Sequence, residues 1–386
     1  MRIDPPWLHS LDVQTLAKAF EKSGHEIRFV GGCVRDTLLK REVHELDIAT
    51  TATPPETTAI IEKAGMRAIP TGIEHGTITA LVNGRTYEIT TLRKDISTDG
   101  RHAEVAYTDD WTEDAKRRDL TFNALYLSLD GTLHDPVGGL DDLRQLRARF
   151  IGDPLSRIRE DHLRILRYFR FAAQLGSEFD DAALAACQQE AASISKLSGE
   201  RITAELLKLL ASSRSSAVLE AMARTGVLKV LFPDADIGAI FSLDHAGAPA
   251  LVKLAALIGD AAKVKTVAAR LKLSGRQAAS VELWLKEQAK LSADMSESEQ
   301  KKMLRRLGRE DHLHSVQLAG ALTGRDLTAL LAYIDWQPPP FPIAATELMA
   351  RGYKEGKALG DKLKELEQKW EESGYALSRE QLLAFV

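Results

Sequence analysis

The spacing of apolar and polar positions changes character partway along the chain. Up to about residue 150, short apolar runs alternate with helix-spaced stretches; from about residue 154 onward apolar positions recur every three or four residues almost throughout, as in amphipathic helices. In the first part, Leu11 to Lys22 reads as an amphipathic helix closed by Ser23-Gly24. Ile27 to Val30 reads as an apolar strand ending at a glycine pair, and Val34 to Leu39 as a short helix. The strand Leu46 to Ala49 runs into Thr50-Thr51-Ala52-Thr53-Pro54-Pro55, and Pro55 opens a helix toward Gly65, where a missing N–H is harmless. Thr77 to Val82 and Thr86 to Thr91 form a predicted hairpin with Asn83-Gly84 as its turn. A second hairpin joins Ala124–Leu129 to Leu133–Asp135 around Asp130-Gly131. Asp95 to Asp110 is polar, lacks a strong period and reads as a long loop. Near the C-terminus Leu359, Leu363, Leu366 and Trp370 share a helix spacing, and Pro338-Pro339-Pro340 with Pro342 marks a linker. The pattern predicts an α+β chain, with a mixed head followed by an all-helical remainder.

Composition narrows the class. A chain of 386 residues, 44% hydrophobic and 27% charged, has room for two or three domains and a sizeable core. No apolar run approaches the roughly 20 residues of a membrane span, and Met1-Arg2-Ile3-Asp4-Pro5-Pro6 lacks the features of a signal peptide. No membrane partner is expected. Cys33 and Cys187 make no metal-ligand spacing, which points to a reducing cytoplasm. The net charge of −4 argues weakly against nucleic-acid binding. Residues 261–309, however, carry twelve Lys and Arg against five Asp and Glu, a cluster that either tracks a phosphate backbone or coats a solvated helical surface. The histidines invite metal hypotheses, but Asp244-His245 and Asp311-His312 lack the partner residues of a phosphohydrolase site.

The chemistry concentrates in a few segments. Gly31-Gly32 lets a backbone approach a phosphate closely, and Arg35, one turn on, can reach the same oxygens. Glu45 and Asp47 sit two apart in a predicted strand and so face one side; like charges that close favour a cation between them. Mg²⁺ suits such a site because it takes oxygen ligands and keeps substrate phosphates in its shell. Glu88, in Tyr87-Glu88-Ile89-Thr90, either adds a third carboxylate or faces solvent. Arg117-Arg118-Asp119 precedes a predicted apolar strand and either holds triphosphate oxygens or forms a surface ion pair. A helix from about Arg157 to Leu175 carries Arg164, Arg167 and Arg170 at three-residue intervals, with Asp161 before them. Such a row of like charges suggests an anionic partner or nearby carboxylates. Asp161 and Arg164, on one face of that helix, offer an acceptor and donors to a base edge. Cytosine and adenine share the order of an amino donor beside a ring-nitrogen acceptor, and uracil and guanine present the opposite, so one Asp–Arg pair can accept C and A alone. An intrahelical ion pair is the plainer alternative.

Taken in order, these segments resemble the class II tRNA nucleotidyltransferase and bacterial poly(A) polymerase family. Those that carry the resemblance are Gly31-Gly32-Cys33-Val34-Arg35-Asp36 with Glu45-Leu46-Asp47, Arg117-Arg118-Asp119-Leu120-Thr121-Phe122-Asn123-Ala124, and Glu160-Asp161-His162-Leu163-Arg164-Ile165-Leu166-Arg167. Asp135-Pro136-Val137-Gly138-Gly139 with Asp142-Leu143, and Gly199-Glu200-Arg201-Ile202 with Glu205-Leu206, extend it over about residues 28 to 233. Leu348 to Trp370, with Gly352, Gly356 and Gly360, resembles the family's tail. The resemblance implies a polymerase-β-like nucleotidyltransferase head over residues 1–150, a helical neck that selects the base over 151–215, a helical body over 216–310 and an RNA-binding helical tail over 311–386.

It further implies that Glu45 and Asp47 bind Mg²⁺, two ions in all; Glu88 stands beside them as a catalytic candidate on its strand position alone. Gly31, Gly32, Arg35 and Arg118 would contact the nucleotide, Asp161 and Arg164 would select its base, and Arg167 and Arg170 would add contacts. One position departs from the family, which usually has Asp-x-Asp where this chain has Glu45-Leu46-Asp47. The extra methylene shifts a carboxylate by roughly an ångström, large beside a Mg–O distance of about 2.1 Å. The rest of the constellation is intact, so a working enzyme is expected. Its implied reaction is addition of CCA to the 3′ acceptor end of tRNA from CTP and ATP, without a nucleic-acid template and with release of pyrophosphate. A poly(A) polymerase, an enzyme restricted to A or CC addition, and a catalytically silent RNA-binding relative are the alternatives. The polar stretch after Arg93 favours the full reaction, since CC-only members are shortened there.

Overall fold

The computed structural model describes residues 1–99 and 102–386, with side chains except at His75 and 95–105. Among the described residues nine strands follow in chain order: β1 (Ile27–Val30), β2 (Asp47–Thr50), β3 (Arg67–Gly72), β4 (Thr77–Val82), β5 (Arg85–Thr91), β6 (Arg93–Asp99), β7 (His102–Tyr107), β8 (Tyr126–Ser128) and β9 (Leu133–His134). Seven of them form one sheet in the order β3-β4-β5-β2-β1-β8-β9. β2 and β5 run parallel, Asp47 opposite Glu88 and Ile48 opposite Ile89; the other neighbours in this sheet are antiparallel.

Five helices belong to the head: α1 (Leu11–Lys22), α2 (Gly32–Leu38), α3 (Pro54–Lys63), α4 (Trp111–Arg117) and α5 (Gly139–Arg144). Ser10 caps α1 by accepting from the Val13 N–H, and Thr53 and Glu56 form a capping box ahead of Pro54 at the start of α3. The β4–β5 turn has the two positive φ angles its sequence demands, 50° at Asn83 and 83° at Gly84. Asp12 pins it to α1, accepting from Asn83 Nδ2 at 2.7 Å and the Tyr87 hydroxyl at 3.0 Å. Val30, Ala49, Leu92, Ala115, Ala124, Tyr126 and Ile151 pack into one apolar cluster beneath the strand ends. At Gly139 a side chain is impossible, since a Cβ would lie 2.1 Å from the Thr121 carbonyl oxygen.

The stretch expected as a long loop is instead largely a two-stranded ribbon, with β6 and β7 antiparallel. Backbone pairing of Arg93–Asp99 with His102–Tyr107 needs no apolar face of its own, so the hydropathy of the segment conceals it. Gly100 and Arg101 lie outside the described residues.

Beyond the sheet the elements are helical, beginning at Pro154. The chain divides into two units, Met1–Pro233 and Asp234–Val386. The first adds α6 (Pro154–Glu160), α7 (Leu163–Leu175), α8 (Asp181–Glu190), α9 (Gly199–Leu210), α10 (Ser215–Arg224) and α11 (Val227–Leu231) to the head. In the second, Leu291, Met303, Val316, Ala319, Leu327 and Leu330 form one core cluster. Leu359, Leu366 and Trp370, with Leu363 packed against them, belong to another that also holds Leu348 and Leu382.

Much of the basic charge in residues 261–309 is neutralised within this unit: Arg305 pairs with Glu367 and Glu371, Arg306 with Glu287, and Lys301 with Glu297. The two Asp-His sequences serve structure. Asp244 pairs with the buried Lys253 at 2.6 Å, and the His312 ring bonds the Leu330 carbonyl at 2.9 Å. Among the described residues no helix is long and apolar enough to cross a membrane.

Candidate active site

Where β1 ends, Gly31 adopts φ 74° and ψ −122°, a conformation closed to side-chain-bearing residues. The turn places Arg35 in α2 against residues far away in sequence. Its guanidinium grips Asp36 through Nε at 2.9 Å and Nη2 at 2.7 Å, and Nη1 donates to Asn123 Oδ1 at 3.0 Å. A Cβ on Gly31 would approach the Asn123 carbonyl and Arg118 Nη1 at about 4 Å, so the turn and Arg118 are neighbours.

The carboxylates lie beside this turn. Asp47 and Glu88 are opposed in the β2–β5 register. Glu45 precedes β2 in irregular backbone rather than inside the strand, yet the exposure alternates as in a strand, with Glu45 and Asp47 exposed and Leu46 half-buried. Lost hydration and then Glu88 raise the Asp47 pKa; Glu45 adds to the rise, while Arg118 and Arg35 oppose it. One carboxylate thus feels two others and two guanidinium groups. Beneath it lies Cys33, whose thiol contacts the Asp47 carbonyl at 3.8 Å and is pushed up to about 12 by burial.

Arg117 and Arg118 do not enter a strand directly. Arg117 closes α4, Arg118 is extended, and a 3₁₀ turn over Thr121–Ala124 intervenes before β8. Nor does Arg118 pair with Asp119. Its partner is Asp114, which the i,i+4 spacing along the helix brings beneath it. Asp114 is 1% exposed. It receives Arg117 Nε at 2.7 Å, Arg118 Nη2 at 3.1 Å and the Tyr126 hydroxyl at 2.7 Å. Burial raises its pKa, but Arg118 and Arg117 more than offset this and hold it down at about 2. Burial likewise disfavours the Arg118 cation, and Asp114 reverses the effect, so its pKa is raised.

The expected continuous helix over 157–175 is two helices. α6 ends at Glu160 and Asp161 is extended (φ −153°, ψ 106°) before α7 begins at Leu163. Asp161 and Arg164 therefore do not share a face of one helix. The Asp161 carboxylate accepts from the Leu163 N–H at 3.1 Å and from Arg201 of α9 at 2.7 Å. Arg164 turns to Glu160 and to the carbonyls of Arg157 and Arg117. An acidic side chain that bonds the N–H two residues on favours such a break, and the helical pattern of apolar residues does not reveal it. The two side chains nevertheless line one cavity of about 270 Å³, with Arg118, Asp119, Leu163, Arg167 and Arg201.

The row of arginines is explained by carboxylates. Arg167 Nε donates to Asp119 at 2.6 Å, and Arg170 pairs with Glu205 at 2.7 Å. Arg170 is 8% exposed and does not line the cavity; burial, partly offset by Glu205, lowers its pKa to about 10. The sequence reading missed Asp114, Asn123 and Arg201 as site components. Asp114 has a signal in its helical spacing from the paired arginines, and Asn123 and Arg201 fall inside motif segments that assign them no role of their own.

A nucleotidyltransferase-type head, with carboxylates on its sheet beside an arginine-lined cavity, is the class this fold and site define. Residues 27–149 match the family described as "Poly A polymerase head domain", and residues 178–237 the one described as "Probable RNA and SrmB- binding site of polymerase A". The chain is 38% identical over 383 residues to the zebrafish (Danio rerio) protein named "CCA tRNA nucleotidyltransferase 1, mitochondrial", covering 96% of this chain and 89% of the relative. The human (Homo sapiens) protein of that name is 34% identical, over 100% of this chain and 93% of the relative. The solved CCA-adding enzyme of Bacillus stearothermophilus, in complex with CTP, superposes with a TM-score of 0.78 at 26% identity, covering 96% of this chain and 94% of that one. The chain belongs to the class II CCA-adding tRNA nucleotidyltransferase and poly(A) polymerase head family.

Proposed function

We infer that this chain adds C, C and A to the 3′ end of tRNA, using CTP and ATP and releasing pyrophosphate. The observation that carries the reading is the convergence in one unit of the Asp47–Glu88 pair with Arg35, Arg118 and the Asp161–Arg164 cavity. We assign the triphosphate to Gly31, Gly32, Arg35 and Arg118, and the base to the cavity, where Asp161 accepts from an exocyclic amine and Arg164 donates to the ring acceptor beside it. Arg167 supports the cavity through Asp119, and Arg170 supports it from behind through Glu205. The chain's contribution is positioning and charge stabilisation around the α-phosphate while the primer hydroxyl attacks in line.

The donor set fits Mg²⁺. Glu45, Asp47 and Glu88 offer hard oxygens, and burial first, then the Glu88 charge, raises the Asp47 pKa. Among the described residues no three His, Cys, Asp or Glu side chains converge closely enough to hold a metal alone. Two Mg²⁺ ions held there would lower the pKa of the primer hydroxyl and neutralise the leaving pyrophosphate.

Around this centre we assign 1–150 as the catalytic head, 151–215 as the neck, 216–310 as the body and 311–386 as the RNA-binding tail. The helices that begin at Pro154 support the first boundary. The buried, unbridged Cys33 and Cys187 support a reducing compartment, the cytoplasm on this reading.

The test is extension of a tRNA lacking its CCA end, read at single-nucleotide resolution with each NTP alone and combined. Two C residues, one A and a stop are expected. Long A tails would move the assignment to poly(A) synthesis, and addition of A only to a CC end, or of CC alone, to a restricted enzyme. RNA binding without incorporation would leave a silent relative.

A further inference from the structure

Asn123 sits between the two halves of the site, 7% exposed, with both ends of its amide engaged. Its Oδ1 accepts from Arg35 Nη1 at 3.0 Å and its Nδ2 donates to Asp119 Oδ1 at 3.1 Å. Only this orientation of the amide serves both neighbours, because arginine solely donates and an ionised aspartate solely accepts. Asp119 Oδ2 in turn accepts from Arg167 Nε at 2.6 Å. Arg35, Asn123, Asp119 and Arg167 therefore form an unbroken chain from the glycine turn to the wall of the base cavity.

A second set of contacts runs beside the first. The guanidinium carbons of Arg35, Arg167 and Arg170 lie 5.1, 5.6 and 3.9 Å from the centroid of the Phe171 ring. Phe122, the residue before Asn123, meets the same ring edge-on at 5.3 Å. A cation prefers the face of an aromatic ring, so displacement of Arg35 or Arg167 is felt by the ring that both share with Arg170.

We propose that Asn123 is a positioning residue that couples Arg35, on the triphosphate side, to Arg167, on the base side. This rests on the functional reading above and goes beyond it by naming the link between the two subsites. A triphosphate that draws Arg35 away from the amide loosens Asn123, frees Asp119 and shifts Arg167, and a base that displaces Arg167 is felt at Arg35. The coupling is reciprocal, as any equilibrium coupling between sites must be.

The experiment is a double-mutant cycle on CTP affinity, measured by calorimetry on the full chain with Mg²⁺ and without tRNA. Arg35→Lys and Arg167→Lys are combined in the native background and again with Asn123→Ser. In the native background the double variant should depart from the product of the single effects by about 3- to 10-fold, as for residues in one network. With Asn123→Ser the single effects should simply multiply. Asn123→Asp keeps the acceptor for Arg35 but loses the donor to Asp119, and should abolish the coupling too; thermal melts establish that each variant is folded. A merely structural Asn123 would lower the melting temperature and leave the coupling unchanged, which overturns the proposal, as does independence of the two arginines in the native background. Failure of the native protein to bind CTP would overturn the functional reading, and the relay with it; binding with independent arginines overturns the relay alone.

Discussion

Asp47 and Glu88 face each other across the one parallel strand pair among the described residues. Forty-one positions apart in sequence, they meet because β5 returns beside β2 in the same direction. The in-register pairing sets side chains of equal position on the same face. Glu88 is the first of the neighbouring charges that raise the Asp47 pKa.

A carboxylate with a raised pKa costs the metal-free fold stability once it ionises, and that cost grows as the pH rises above its usual value of 3.8. Asp47→Asn should melt slightly higher than the native protein in EDTA at neutral pH. The same variant should lose nucleotide incorporation by about 10³-fold or more. Melting curves and single-turnover extension together check it; a variant with lower stability and retained activity would contradict the assignment.

Asp114 has the opposite sign. Its pKa is depressed from 3.8 to about 2 by Arg118 and Arg117 despite burial. The stability it contributes is fully present above its unfolded value and is lost as the pH falls toward 2. The pH-dependent part should be roughly 2 kcal/mol. Denaturation of native protein and Asp114→Asn between pH 2 and 6 should give curves that converge at the acid end.

Glu45 precedes β2 in irregular, exposed backbone. Slack there can absorb the extra methylene, so Glu45→Asp should change the rate by less than about tenfold, whereas Glu45→Ala should lower it by about 10²-fold. A Mg²⁺ titration of the extension rate separates weaker ion binding from slower transfer.

Asp161 and Arg164 reach the cavity from opposite sides of a helix break. Replacing either with Ala should relax selection of C and A over U and G by about tenfold or more, the worth of a charged hydrogen bond, before transfer is abolished. Incorporation assays with each NTP alone measure this. Unchanged discrimination in both variants would remove the pair from base selection.

In the second unit Lys302 and Arg305 line the same groove, but Arg305 is held by Glu367 and Glu371. Lys302→Glu should weaken tRNA binding and lower the slope of log affinity against log salt by about 1. Arg305→Glu should instead lower the melting temperature, since it sets three carboxylates together. Filter binding at several salt concentrations and thermal melts distinguish the two.

Local spacing explains how much was legible beforehand. The amphipathic period of Leu11–Lys22, the apolar strand Ile27–Val30 and the Asn83-Gly84 turn all correspond to observed elements, because each depends on residues a few positions apart. The β6–β7 ribbon reads as a loop in the sequence, since a polar hairpin has no apolar alternation to betray it. The Asp161 break was missed for a related reason. Apolar positions on either side keep a helical period while one carboxylate bonds the Leu163 N–H and Arg201.

The amino-acid sequence by itself determined most of the periodic elements, the order of the motifs and the family, because motif order and helical or strand period are properties of neighbouring residues. It also supplied the residue types that the reaction needs. Which arginine faces which carboxylate was decided only by the tertiary structure. Apart from Arg118, which its helical spacing sets on Asp114, Arg167 turned to Asp119, Arg170 to Glu205 and Asp161 to Arg201. The last three join residues 35 to 48 positions apart, and the choice among so many charges rests on burial. Inside the folded unit an unpaired charge is too costly to leave, so packing, rather than any local rule, assigns the partners.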